Sequence, residues 1–326
     1  MDYGNQTLLK ELILIGLTQN PKTRIFLSVL FLFLYMVIVL GNSFLIFTVI
    51  LSPQLHTPMY YFLCNLSFID LCLTSCTIPK QLFNMFSNTR TISVTGCLAQ
   101  MSLGISIVVA EVILLAVMAY DRYIAICFPL YYTTIMRLRV CGYITVIIWL
   151  GSLYFSLSPT LIKPLVFCKG NTLDHLACEI LVVIELACGD LSATKLILFI
   201  QSVFILASPL VFIVVTYICI IASLLKIHSA QGKSKAFSTC ASHLTVVVIF
   251  YGTTLTAYIG QAKFTSSLKY IALNYGIVTP VLNPLIYSLR NNDVKEAFKK
   301  ILIKYSDHFR KTNIGLRNKN FKNVHM

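Results

Sequence analysis

In the stretch MAYDRYIAICFPLYY, residues 118–132, an Asp–Arg pair closes a long apolar run and is followed by tyrosines, a proline and further apolar side chains. Asp121 and Arg122 can form a local ion pair, and at the end of an apolar helix the arginine can extend its head to the lipid headgroups. Two more acids, Asp70 and Glu111, stand in the middle of apolar runs, with Asn42, Asn283 and Ser106 as polar neighbours at similar depth. Ionisable residues at such depth cost several kcal/mol to insert, roughly 2.5–3.5 kcal/mol on translocon scales, and mark functional positions. Two carboxylates and neutral oxygens can replace the water around a cation, sodium above all. Alternatively one carboxyl keeps its proton, because two like charges repel strongly in a low dielectric. Asn283-Pro284 and Pro209 each interrupt a helical ladder, since proline lacks a donor, and beside buried polar groups such kinks can act as hinges. His175, Cys178 and Glu179 carry ligand atoms for copper or zinc, but only if Cys178 is a free thiolate, so no firm metal site is read. No His-Glu-x-x-His, Gly-x-Ser-x-Gly or phosphate-cradling glycine loop occurs, and the chain is not read as an enzyme.

The elements that must position these residues are apolar helices. Of the 326 residues 57% are hydrophobic and only 12% charged, and the mean hydropathy is +0.80, which places the chain among all-α membrane proteins. A spanning helix needs roughly 20 apolar residues, and seven segments qualify: 25–51, 58–83, 97–126, 140–163, 195–225, 237–260 and 268–289. The chain then divides into an N-terminal segment 1–24, a seven-transmembrane-helix bundle 25–289, a short amphipathic eighth helix 290–304 on the inner membrane surface and a polar tail 305–326. In the eighth helix Val294, Ala297, Phe298, Ile301 and Leu302 share one face, opposite Lys295, Lys299 and Lys300.

With the N-terminus outside and the C-terminus in the cytoplasm, sixteen of the 26 Lys and Arg fall on the cytoplasmic side, as the positive-inside rule requires. The net charge of +14 therefore reads as topology and attraction to anionic membrane lipids, not as a nucleic-acid footprint. Asn5-Gln6-Thr7 is a glycosylation sequon usable only outside, whereas Asn65-Leu66-Ser67 lies within a span. Cys97, Cys168, Cys178 and Cys188 also fall outside, where disulfides persist. Four cysteines allow three pairings.

Residues 118–127, MAYDRYIAIC, resemble the third-helix signature of olfactory receptors, a branch of the rhodopsin-like G-protein-coupled receptors. The resemblance extends through Gly41-Asn42, LHTPMY at 55–60, KAFSTCASHL at 235–244 and PVLNPLIYSLRN at 280–291, in the family's order. Tyr61, Thr216 and Gln231 depart from the family's commoner residues. The resemblance implies a plasma-membrane, multi-pass odorant receptor in which a small volatile enters among helices three, five, six and seven. The inner helix ends then separate, and Arg122 leaves Asp121 for Tyr217 or an olfactory stimulatory heterotrimeric G protein that raises cyclic AMP. Asn283, Pro284 and Tyr287 join these residues as the activation switch. The resemblance also implies the pairings Cys97–Cys178 and Cys168–Cys188.

Helical spacing and depth then suggest ligand contacts at Ile105, Val108 and Val109, at Gln201 and Ile205, and at Tyr251, Leu255 and Thr256. No lysine or arginine lies at that depth, so a hydrophobic aldehyde, ketone, ester or alcohol fits better than a carboxylate. No cofactor is expected apart from the candidate sodium ion at Asp70 and Glu111. An opsin would need a lysine in residues 273–287, which hold none, and a transporter would show an internal repeat. The rival reading is a rhodopsin-like receptor for a small metabolite outside the olfactory epithelium.

Overall fold

The computed structural model describes residues 9–87, 90–162, 165–168, 170–226, 229–259, 268–289 and 291–303. The long helices are α1 (Pro21–Leu51), α2 (Pro58–Phe86), α3 (Val94–Cys127), α4 (Leu138–Ile162), α5 (Ser192–Leu225) and α6 (Ala230–Ile259). A further helical run, α7, comprises Leu268–Leu273, a π-helical turn Asn274–Val278, and Thr279–Leu289. A last helix, α8, covers 292–303. Among the described residues five helices are long and apolar enough to cross a membrane: α1, α2, α3, α5 and the Leu138–Ser158 part of α4; α6 adds a shorter apolar stretch, Cys240–Leu255. The molecule is a helical membrane bundle. Its outward faces carry the unpartnered apolar surface that lipid covers, as at Phe26, Phe33 and Leu40 of α1.

Helix ends follow local chemistry. Asn20 accepts the Lys22 amide at 3.0 Å and precedes Pro21, so α1 starts four residues before the apolar run itself. Ser93 accepts the Gly96 amide at 3.1 Å and starts α3 three residues earlier than its apolar pattern suggests. α6 likewise reaches back to Ala230, beyond its apolar part. Asn291 Oδ1 accepts the Asp293 amide at 2.9 Å and caps α8.

α3 runs through the middle, packed against α2, α4, α5 and α6. α1 meets α7 where a Cβ on Gly41 would sit only 3.2 Å from the Pro284 ring, the close approach that a small residue allows between membrane helices. Beside it, Asn42 Nδ2 donates to the Pro280 carbonyl at 3.2 Å. That carbonyl has lost its usual partner, because Pro284 has no amide hydrogen. The first-helix asparagine thus repairs the seventh-helix kink.

One end of the bundle carries a three-stranded sheet in the order β2-β1-β3, with β1 at Glu11–Leu14, β2 at Thr91–Ser93 and β3 at Thr172–Leu173. β1 runs antiparallel to β2, with Leu12 opposite Ile92, and parallel to β3, with Ile13 opposite Thr172. Leu12, Leu14, Ile92 and Leu173 pack with Cys97, Met101 and Ile180 into a small apolar cluster. These strands are not part of the sequence expectation above. The Asn5 sequon, residue 304 and the tail 305–326 lie outside the described residues, as does the side chain of Thr256.

Candidate functional site

The loop after α4 is anchored twice by sulfur. Cys97 at the start of α3 is bonded to Cys178, with Cα atoms 5.4 Å apart, and Cys168 to Cys188, with Cα atoms 5.7 Å apart. Both pairings are the ones the resemblance implies, and with its sulfur in the bond Cys178 has no thiolate for a metal. The amide of Cys178 donates to Gln100 Oε1 at 3.0 Å, while Gln100 Nε2 donates to the Cys76 carbonyl at 2.9 Å. The Tyr275 hydroxyl donates to Glu179, and Lys269 pairs with Asp174 at 2.9 Å, so the same loop is held against α7. His175, buried, donates through Nδ1 to the Ala177 carbonyl at 3.0 Å and lies 3.8 Å from Glu179.

Beneath this loop lies a cavity of about 590 Å³, counted to its opening. Ile105, Val108 and Val109 of α3 and Gln201 and Ile205 of α5 line it together, as their helical spacing suggests. On α6, Tyr251 and Leu255 pack into the central core, and among the described residues it is Thr254 that lines this cavity. The sequence leaves that face open because Tyr251, Thr254 and Leu255 are neighbours at helical spacing with similar apolar flanks. Ile180 of the loop and Phe155 of α4 complete the wall. No periodicity argument reaches them, since one is on a loop and the other on a helix not assigned to the site. A second cavity of about 610 Å³ adjoins, sharing Ile105, Val108, Ile180 and Thr254, and adds Gln100, Glu179 and Tyr275.

Polar groups in the first cavity are few and largely committed. Gln201 Nε2 donates to Ser158 Oγ at 3.2 Å. The Ser202 and Thr254 hydroxyls each give their proton to a carbonyl of their own helix, at 2.7 Å in both cases. What they leave free is acceptor lone pairs.

Deeper in the bundle Asn283 Nδ2 donates to both Asp70 oxygens, at 3.2 and 3.0 Å. Of the three polar neighbours expected around the carboxylates, only Asn283 makes this contact. Asn42 is engaged at Pro280, and Ser106 bonds Ser152 of α4 at 3.2 Å. Asp70 and Glu111 are both within 1% of full burial. Among the described residues Glu111 Oε1, Asn283 Oδ1 and Asn42 Oδ1 are buried acceptors with no donor, a surplus that a cation or a proton would balance.

Towards the other end, Arg122 Nη2 lies 3.6 Å from Asp121 Oδ2, and the Tyr132 hydroxyl donates to Asp121 Oδ1 at 2.9 Å. Tyr132 sits in a one-turn helix, Tyr132–Ile135, between α3 and α4. Burial and the Asp121 carboxylate push its hydroxyl well above the ordinary tyrosine range, so it stays a donor at physiological pH. The Tyr217 hydroxyl is hydrogen-bonded to His243 Nδ1 at 2.8 Å, with the rings stacked at 5.8 Å. The Tyr287 hydroxyl is buried and without a partner among the described residues. Tyr132 and His243 were not singled out in the sequence, although both stand inside or beside the quoted stretches. At the start of α2, Tyr60 receives Asn291 Nδ2 at 3.0 Å and lies 3.2 Å from Asp293 Oδ2. This contact ties α2 to α8, whose Phe298 stacks edge-on against Phe44 at 4.4 Å.

A family model described as olfactory receptor matches residues 31–305. The chain is 45% identical to olfactory receptor 13C9 of Homo sapiens over 310 residues, covering 92% of this chain and 98% of that one. It is 43% identical to olfactory receptor 1M1 of Mus musculus, over 93% and 97% of the two chains. It is also 43% identical to the olfactory receptor-like protein OLF3 of Canis lupus familiaris, over 93% and 96%.

Proposed function

The chain belongs to the olfactory receptor family, and from that premise we propose how this odorant receptor, a multi-pass protein of the plasma membrane, takes its ligand and passes the signal on. The family is one of receptors, not enzymes. α6 and α7 complete a seven-span bundle, with the N-terminus outside, the C-terminus in the cytoplasm and α8 lying along the inner surface. Phe298 packing on Phe44 and the burial of Val294 and Ala297 support that position for α8, whose Leu302 stays half exposed towards lipid. Asn5 carries the glycan.

The ligand is a small, mainly hydrophobic volatile held between Val109, Ile205 and Thr254 under the disulfide-anchored loop. The observation that carries this reading is the cavity itself, where the apolar faces of α3 and α5 converge. Because the Ser202 and Thr254 hydroxyls have spent their protons, an alcohol, which brings its own donor, is matched better than an ester of the same length. Binding shifts the receptor only if the ligand prefers the signalling arrangement; affinity alone shifts nothing.

In that arrangement Arg122 exchanges Asp121 for Tyr217 or for a stimulatory heterotrimeric G protein, and cyclic AMP rises. The exchange requires Tyr217 to leave His243, and Asn283, Pro284 and Tyr287 let α7 adjust. The surplus of buried acceptors supports a sodium ion held by Asp70 and Glu111, with Asn283 and Asn42 as neutral oxygens.

The test is cyclic AMP in cells displaying the full chain, against matched series of volatile alcohols and esters, beside Val109→Trp. Filling the cavity should cost at least tenfold in response at unchanged surface display, with alcohols ahead of esters in the parent chain. An undiminished response in Val109→Trp would place the ligand elsewhere.

A further inference from the structure

A third, smaller cavity lies apart from the proposed odorant site at the sheet-bearing end of α1 and α2. Its polar lining is Thr18, Arg24 in the first turn of α1, Gln81 and Asn84 near the end of α2, and Arg90 just before β2, closed by the turn that follows β1. Gly16 makes that turn with φ +77°, a conformation that favours glycine. Gln81 and Asn84 are each only 7% exposed. Yet among the described residues Gln81 Nε2, Asn84 Nδ2 and Oδ1 and Arg24 Nε are buried with no hydrogen-bond partner. Arg90 spends one Nη1 donor on the Ile15 carbonyl at 3.3 Å. No acidic residue lines the cavity, and among the described residues no carboxylate pairs with Arg24 or Arg90.

This arrangement is costly as it stands. An unpaired buried donor forfeits about 1–3 kcal/mol, and a cation in the first turn of a helix opposes the helix dipole. Two guanidinium groups share the space without a counter-charge. Arg24 and Arg90 are partly exposed, so water screens part of each charge, but an anion would supply both the missing counter-charge and an acceptor for the buried amide donors.

We propose that this cavity binds a small monovalent inorganic anion, chloride in size, between the Arg24 and Arg90 guanidinium groups and the Gln81 and Asn84 amides. The bound ion bridges α1, α2 and the turn after β1. Leu14 belongs both to β1 and to the cavity wall, so the ion also braces the sheet packed against Cys97 and Met101. The site is independent of the odorant reading, and its test needs no odorant.

The experiment uses the full chain in lipid nanodiscs, with chloride replaced stepwise by gluconate at constant ionic strength and pH. Chloride-35 line broadening is read beside the melting temperature. The parent chain should show saturable excess broadening and a melting temperature that rises with chloride. Arg24→Gln should weaken the apparent affinity at least tenfold and flatten the melting response. Asn84→Leu, which removes the orphan amide at similar volume, gives the same reading if Arg24→Gln fails to fold. Absence of saturable broadening in the parent chain, or equal broadening in a folded variant, would mean that water alone fills the cavity and would overturn the proposal.

Discussion

At the sheet-bearing end the elements are joined by two disulfides and main-chain strand pairing, whereas at the opposite end the described ties are side-chain hydrogen bonds. Cys97–Cys178 closes a sequence separation of 81 residues over the cavity between α3 and α5, and β1 inserts between β2 and β3 beside it. Across the bundle, Tyr132 holds Asp121, His243 holds Tyr217, and Asn291 holds Tyr60. Covalent and main-chain ties fix a shape, which suits a pocket that must discriminate among small apolar molecules. Single hydrogen bonds contribute about 0.5–1.5 kcal/mol each, or roughly 1.5–3 kcal/mol to a charged group. They can be exchanged within the differential binding energy of one small ligand. On the function proposed above, the end that selects is locked and the end that moves is latched.

The comparison breaks most severely at the disulfide. Cys97→Ser should cost about 2–5 kcal/mol and abolish surface display, read with an N-terminal tag on unpermeabilised cells; normal display and odorant response would show that strand pairing suffices to hold the loop. The latch comes next. Tyr132→Phe removes the donor to Asp121, a hydrogen bond to a charge of about 1.5–3 kcal/mol, and should raise ligand-free cyclic AMP several-fold to tenfold or more. Unchanged basal signalling would leave Tyr132 a packing residue.

A smaller effect is expected between the two ends. If sodium occupies the Asp70–Glu111 site, a concentration ten times its dissociation constant stabilises the chain by about 1.4 kcal/mol. Replacing sodium with N-methylglucamine should then lower the melting temperature of the parent chain but not of Glu111→Gln. An equal response in both would point to a proton instead.

The smallest effect belongs to the surface of α8. Lys300, 2.7 Å from Glu296, holds the Glu296 carboxyl below its usual range. A depressed folded value contributes stability above the unfolded one and loses it as pH falls through the folded one. The pair is exposed, with side chains 59% and 64% accessible, so solvent screens it. Glu296→Gln should leave surface display and melting unchanged from pH 7 down to pH 5. A measurable loss would assign this pair a larger part in holding the inner end.

What the sequence conveys and what it withholds divide along the same line. Apolar runs report five spans directly, α1 to α5, because lipid imposes one composition over some 20 residues. The faces of α3 and α5 at the cavity follow from helical period, since Ile105, Val108 and Val109 recur at i, i+3, i+4. Polar contacts between helices are not periodic. That Asn42 serves Pro280 while Asn283 serves Asp70 depends on how α1, α2 and α7 pack, and either asparagine could have filled either place. The sheet escapes for another reason: strands of two to four residues carry too little pattern, and the paired segments are some 80 (β1–β2) and 160 (β1–β3) residues apart. Thr254, rather than Tyr251 or Leu255, reaches the cavity through a rotation of α6 that its sequence leaves open.

The most direct test of the locked and latched ends is one set of cyclic AMP dose–response curves on the parent chain, Thr254→Phe and Tyr132→Phe, with surface display matched. Thr254→Phe should shift or remove the responses to individual volatiles and leave ligand-free signalling where it was. Tyr132→Phe should raise ligand-free signalling and preserve the rank order of the volatiles. If the cavity variant altered ligand-free signalling as much as the latch variant, or the latch variant reordered the volatiles, the two ends would not be separate devices and the account would be contradicted.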